Sequence, residues 1–311
     1  MLRRHFFRSA STAAAGALVA PALLGSSKSQ AKSASLAVEG GQFAMLRRGV
    51  GLFTERGGTI GYLAGSDAFA MVDAQYPDTA QHAYEGLHEK SGRPLDVLIN
   101  THHHGDHTAG NATLAPLASR HIAHAHVPDL MRVSTQEGKE TAPVPTETFD
   151  VETALDMGDE TIRLFHYGPG HTAGDAVVLF ERANVIHTGD LVFNRIPPYI
   201  DPGTSGADTS NWQLVLDRVH DLGDADTLYV FGHSNPAYGV VGTQADVRAM
   251  RQYLEALTSH VGAAQRSGKS LEEAQTMRLD AAPEFFAPEG FLTVARNIEA
   301  VWTEMERLGK E

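Results

Sequence analysis

One segment limits this chain more than any other: Val97-Leu98-Ile99-Asn100-Thr101-His102-His103-His104-Gly105-Asp106-His107. It opens on a continuous apolar run, as in a strand covered on both faces. Good metal ligands then crowd together at His102, His104, Asp106 and His107. An apolar helical stretch is expected next, from Ala109 to Leu117. Buried strand, ligand-rich loop and helix is the arrangement of a site at the carboxyl end of a strand in a layered α/β fold. The ligand types point to metal-assisted hydrolysis. His103 falls at the wrong parity within the string and is expected to point away from any metal.

The chain has no cysteine, so disulfides and thiolate ligands are excluded. A metal must be held by imidazole and carboxylate, which suits zinc, iron or manganese. The first residues read as a targeting segment. Arg3-Arg4-His5-Phe6-Phe7-Arg8 pairs two arginines ahead of two aromatics, an Ala-rich apolar stretch runs from Ala13 to Leu24, and small residues with a cleavage site near Ser29-Gln30-Ala31 follow. This is the layout of a bacterial export signal of the twin-arginine type, so residues 1–34 are expected to be signal and linker. The mature protein is then periplasmic or secreted. Removing Arg3, Arg4, Arg8, Lys28 and Lys32 leaves 20 basic against 38 acidic side chains, a net charge of −18. Such a chain repels nucleic-acid backbones and anionic membrane surfaces. No later segment is long and apolar enough to span a bilayer.

Beyond the leader, glycine-punctuated runs read as antiparallel strands at Phe43–Arg47, Gly51–Glu55, Thr59–Leu63 and Ala68–Val72. Helical spacing covers Thr79–Lys90. In the second half, strands are expected at Ile162–His166, Ala176–Phe180, Val185–His187 and Leu228–Phe231. Helices are expected at Trp212–Leu222, Asp246–Gln265 and Gly290–Leu308. The order suggests two similar halves around one core, in a single domain over 36–311. The stretch Asn194–Asn211 lacks periodicity and is either a lid over the site or a plain surface connection.

Three further polar points follow apolar strands: His171 after Gly168-Pro169-Gly170, Asp190 after His187-Thr188-Gly189, and His233 after Gly232. With the string they make seven ligands, too many for one tetrahedral ion and suited to two ions sharing a carboxylate. His121, His124 and His126 form another cluster, for which packing or solvent-facing roles are favoured over a third metal site. His166 and His187 read as residues at the edge of the core, near the site. Asp175 is suited to supporting the His171 loop or simply to a turn. Trp212 and Tyr199 are candidates to line a pocket, with a core role the commoner one for such aromatics.

This pattern resembles the five motifs of the metallo-β-lactamase-fold hydrolase superfamily. Asp73, closing Ala70-Met71-Val72-Asp73, resembles the first; 102–107 the second; His171, Asp190 and His233 the third to fifth. The resemblance implies a four-layer αββα sandwich with a two-metal site at one edge. It implies that His102, His104 and His171 hold one metal, that Asp106, His107 and His233 hold the other, and that Asp190 bridges both. It places Asp73 behind the ligands as an orienting residue, and implies catalysis by a hydroxide held between two divalent ions, zinc first, with manganese or iron as alternatives.

An acid at position 190 is similar to the pattern of glyoxalase II-like thioesterases, lactonases and phosphodiesterases, which ranks small esters, lactones, thioesters and amides above β-lactams as substrates. No basic patch near the C-terminus suits glutathione, which counts against glyoxalase II activity itself. The alternatives are β-lactamase activity, a mononuclear iron oxygenase like the sulfur dioxygenases, and a non-catalytic binding protein.

Overall fold

The computed structural model describes residues 35–38, 41–135, 141–276, 279–280, 282–285 and 291–309. The expected export signal and linker, 1–34, lie outside the described residues. Eight strands follow one another across a first sheet in chain order. They are β1 (Ser35–Val38), β2 (Gly41–Arg47), β3 (Val50–Thr54), β4 (Ile60–Ala64), β5 (Phe69–Val72), β6 (Leu95–Ile99), β7 (Ala118–His124) and β8 (Glu147–Phe149). Pairing is antiparallel through β5 and parallel from β5 to β8. The change of sense needs a crossover, supplied by helix α1 (Pro77–Ser91) between β5 and β6.

The second sheet has six strands. Four are antiparallel neighbours: β9 (Glu152–Asp156), β10 (Thr161–Phe165), β11 (Val177–Phe180) and β12 (Val185–His187). After β13 (Phe193–Asn194), a second helix crossover leads to β14 (Leu228–Val230), which pairs parallel to β12. β15 (His233–Ser234) pairs with β13 as a separate ribbon, and β16 (Val241–Gly242) closes the sheet beside β14. The βαβ unit expected in each half is therefore present.

Side-chain alternation sorts the apolar residues into layers. Phe69 and Met71 of β5 face α1, packing with Ala80, Ala83 and Leu87. Ala70 and Val72 face the other way, between the sheets, with Val97, Ile99, Ile162, Leu164 and Val178. The far side of the second sheet is covered by helices over Thr209–Leu222, Gln244–Arg266 and Val294–Leu308, through Trp212, Leu216, Met250, Leu254 and Ile298. The order is helix, sheet, sheet, helix. The single core expected from the sequence is instead one apolar layer on each side of each sheet, because both sheets bury both faces. The layers belong to one unit, Ser33–Glu311.

Two expected elements differ. In place of the helix expected over 109–117 stand α3 (Asn111–Leu114) and a 3₁₀ turn, Ala115–Leu117, preceded by the single helical turn α2 (Gly105–Thr108). Pro116 lacks the N–H that a continuous helix would use there. The last helix starts at Val294, where the Thr293 side chain caps the Arg296 N–H. No helix among the described residues is long and apolar enough to cross a membrane.

Candidate metal centre

The seven expected ligands meet beyond one edge of the two sheets. The first sheet supplies the 102–107 string after β6 ends at Ile99. The second supplies His171 from the loop between β10 and β11, Asp190 from a 3₁₀ turn after β12, and His233 just after β14. His102 Nε2 lies 3.0 Å from His104 Nδ1, which lies 2.9 Å from His171 Nε2. Asp106 Oδ2 lies 3.1 Å from His233 Nε2. His107 Nε2 lies 3.4 Å from His233 Nε2 and 3.0 Å from Asp190 Oδ1. Asp190 Oδ2 lies 3.3 Å from His233 Nε2, 3.6 Å from His171 Nε2 and 3.8 Å from His102 Nε2. Two ligand groups result, one of His102, His104, His171 and Asp190, the other of Asp106, His107 and His233. Asp190 faces both.

This donor set fits divalent cations. Metal–nitrogen bonds of about 2.0–2.1 Å in a tetrahedral site place ligand atoms roughly 3.3 Å apart, close to the spacings seen here. Asp190 Oδ1 is sealed from solvent and has no well-aligned hydrogen bond, despite its proximity to His107 Nε2. A buried carboxylate oxygen left in that state is costly unless a cation takes it.

Burial, assisted by neighbouring imidazoles, holds His102 well below the usual histidine range. The same causes hold His104 at about 4 and His171 at about 3. All three are neutral, with a lone pair free for a metal. At His107 and His233 burial acts in the same direction but is outweighed by the carboxylates of Asp190 and Asp106. His107 is held well above the ordinary value and His233 is raised to about 9. Burial would raise the Asp106 and Asp190 carboxyls, yet His107 and His233 hold Asp106 at about 2 and Asp190 well below the carboxylate range.

The residues behind the ligands are also ordered. Asp73, wholly buried and at a φ of 65°, accepts hydrogen bonds from Thr101 N (2.7 Å), Thr101 Oγ1 (2.7 Å) and His107 Nδ1 (2.8 Å). His102 Nδ1 donates to Thr101 Oγ1 at 3.1 Å. One aspartate thus orients one ligand from each group. Gly232 passes so close to Asp190 that a Cβ there would stand 1.9 Å from Asp190 Oδ1. Only glycine fits at that approach.

The remaining candidates fall as follows. His103 stays outside both groups. His121 is buried with Nε2 2.8 Å from Asn100 Oδ1, and His124 is buried with its ring stacked 3.7 Å from that of His166. Both pack, and His126 donates through Nδ1 to Ala173 O at 2.8 Å. His187 is buried, with Nε2 donating to Thr59 O at 3.1 Å. Asp175 does support the His171 loop, accepting from Thr172 N at 2.9 Å and Thr172 Oγ1 at 2.6 Å. Trp212 is core, whereas Tyr199 lines the site. The open cleft of about 450 Å³ is bounded by His104, Asp106, Asp190, His233, Tyr199, Phe291 and Leu292. Phe291 and Leu292 escaped the sequence reading, because nothing in their type or spacing links them to a site far upstream.

The profile of the metallo-beta-lactamase superfamily matches residues 53–233, a span that includes all seven ligand candidates. The chain belongs to the metallo-beta-lactamase superfamily. Among curated relatives, a hydroxyacylglutathione hydrolase of Acidiphilium cryptum (strain JF-5) is 34% identical over 171 residues, 55% of this chain and 62% of that one. This chain thus spans less than two thirds of that relative's length. Among solved structures, a metallo-beta-lactamase from Pontibacter korlensis superposes with a TM-score of 0.54 at 15% identity, covering 72% of this chain and 99% of that one. A double mutant of the sec-alkyl sulfatase PisA1 gives a TM-score of 0.63 at 13% identity, over 85% of this chain and 50% of that one. At such identities the likeness is one of fold. The superfamily, its hydrolase relatives and the His/Asp groups together support a metal-dependent hydrolase in general terms.

Proposed function

We propose that this superfamily member holds two divalent metal ions, zinc first, and hydrolyses a small molecule at an ester-, lactone-, thioester- or amide-like carbonyl. The observation that carries this reading is Asp190, a buried carboxylate standing between two histidine-rich groups with one oxygen lacking an aligned hydrogen bond. His102, His104 and His171 would hold one ion, Asp106, His107 and His233 the other, and Asp190 both. When bound, such ions supply hydroxide at neutral pH and polarise a carbonyl.

The chain's own residues complete the site. Asp73 keeps Nε2 of His102 and of His107 turned inward by engaging their remote Nδ1–H groups, directly or through Thr101. Tyr199, Phe291 and Leu292 form an apolar wall beside the polar floor of the cleft. Asp106, partly exposed at the cleft, is the acid placed to meet substrate as well as metal. A thioester heads the substrate panel, because a hydroxyacylglutathione hydrolase is among the relatives. We further propose export, directed by the signal within residues 1–34.

Elemental analysis of protein purified without chelator tests this reading, together with a panel of thioesters, lactones, esters and β-lactams. About two zinc or manganese ions per chain and turnover of a carbonyl substrate are expected. One iron with oxygen consumption would replace the hydrolase with an oxygenase. No metal at all would leave a binding protein.

A further inference from the structure

We propose that the loop between β13 and the helix Thr209–Leu222 is a clamp for one metal position, in which Ser205 and Asp201 fix the orientation of His104 while the Tyr199 carbonyl fixes that of His171. The inference rests on the metal reading above and adds positioning residues to it. The stretch read over 194–211 ends inside that helix, and its Tyr199 lines the cleft.

His104 turns Nδ1 toward His102 and His171, so with a metal held there its proton resides on Nε2. Nε2 lies 3.0 Å from Ser205 Oγ. Ser205 is buried, and its hydroxyl lies 3.2 Å from Asp201 Oδ2. The hydroxyl therefore accepts from His104 and passes its own proton on to a carboxylate. Asp201 is fixed in turn by Gly203 N at 2.9 Å, Thr204 N at 3.0 Å and the Thr204 hydroxyl. Burial would raise its pKa, but these Thr204 and Gly203 bonds outweigh it and keep the group anionic. His103 Nε2 also approaches Ser205 Oγ, but at 3.5 Å it is the weaker neighbour.

The same device stands on the other side of the site. There His102 Nδ1 donates to Thr101 Oγ1, which donates to Asp73 Oδ2. A hydroxyl relaying a ligand histidine to an aspartate thus occurs twice, once from each sheet's loops. In the third histidine of this group, Nδ1 donates to Tyr199 O at 3.0 Å. The loop is also tied to the His171 turn, through Ala173 N donating to Ser205 O at 2.9 Å. Tyr199, Asp201 and Ser205 make no such bond to the side chains of Asp106, His107 or His233 among the described residues. Their loss should therefore be felt at one metal position and not at the other.

The test is a zinc titration of the full chain, stripped of metal, in competition with a chromophoric chelator. Wild type is compared with Ser205→Ala, Asp201→Asn and Ser205→Thr. We expect two binding steps in the wild type. Ser205→Ala and Asp201→Asn should each weaken one step by roughly 10- to 100-fold and leave the other unchanged, as orienting partners of ligand histidines do. Ser205→Thr, which keeps the hydroxyl, should restore the weakened step. Cobalt absorption should change for that position alone. Unchanged affinities in both variants would overturn the clamp. Equal weakening of both steps would also overturn it, because a general loosening of the fold acts on both. A wild type that takes up no zinc would remove the metal reading itself, a result that the variants' behaviour cannot imitate.

Discussion

At the scale of single residues, buried histidines away from the ligand groups set a pH dependence of their own. His121 is 4% exposed, and burial holds its pKa at about 4. His124 is also held at about 4, by burial and then by His166 and His126. An unfolded histidine titrates near 6.5. Both native groups therefore stay neutral while the unfolded chain takes up protons. The stability they supply is complete above about pH 6.5 and is lost as pH falls toward 4. Between pH 7.5 and pH 5 each contributes about 2 kcal/mol of that loss, as an upper bound. Urea unfolding of His121→Gln at these two pH values should show a smaller acid loss than wild type by about that amount; identical losses would refute it. The ligand positions were legible at this scale because histidine and aspartate directly after apolar runs have few other uses. The ring tautomers were not, since they depend on contacts such as His104 to Ser205, 101 residues apart. Serine in a polar loop carries no signal of its own, although Asp201-Pro202-Gly203-Thr204 does carry that of an Asx turn.

At the scale of elements, β5 and β6 were visible because each is an unbroken apolar run. β7 was harder to see, because Ser119-Arg120 opens the element with exposed polar residues. The helix over Thr209–Leu222 was read from its apolar spacing, but what anchors its start was hidden. Thr209 N and Oγ1 donate to the Glu304 carboxylate at 2.9 and 2.6 Å, across 95 residues of chain. Glu304, on the helix Val294–Leu308, is 3% exposed, and burial raises its pKa. It satisfies an amide that a helix start otherwise leaves unpaired. Glu304→Ala strands both Thr209 donors in a buried place, and should cost about 2–3 kcal/mol in urea unfolding. Glu304→Gln retains an acceptor and should cost less. An unchanged midpoint for the alanine variant would show that the contact does not secure the helix.

Across the whole molecule, both ligand groups draw on both sheets. His102 and His104 come from the first sheet's loops and meet His171 and Asp190 from the second; Asp106 and His107 likewise meet His233. Each ion proposed here would therefore join the two halves of the sandwich. Without ions, the second group is left as imidazolium and carboxylate at close range, which is a partial substitute, and the neutral histidines of the first group turn their metal-facing nitrogens toward one another and the shared Asp190. Metal binding to the native state alone stabilises by about 4 kcal/mol at a thousandfold excess over the dissociation constant. For a domain of this size that corresponds to a rise in melting temperature on the order of 10 °C. Zinc should produce a rise of that order in wild-type protein stripped of metal. It should produce far less in Asp190→Ala, because removing the shared carboxylate weakens both positions at once. A variant that gains as much as wild type would mean that zinc stabilises the fold from somewhere other than the junction of the two sheets.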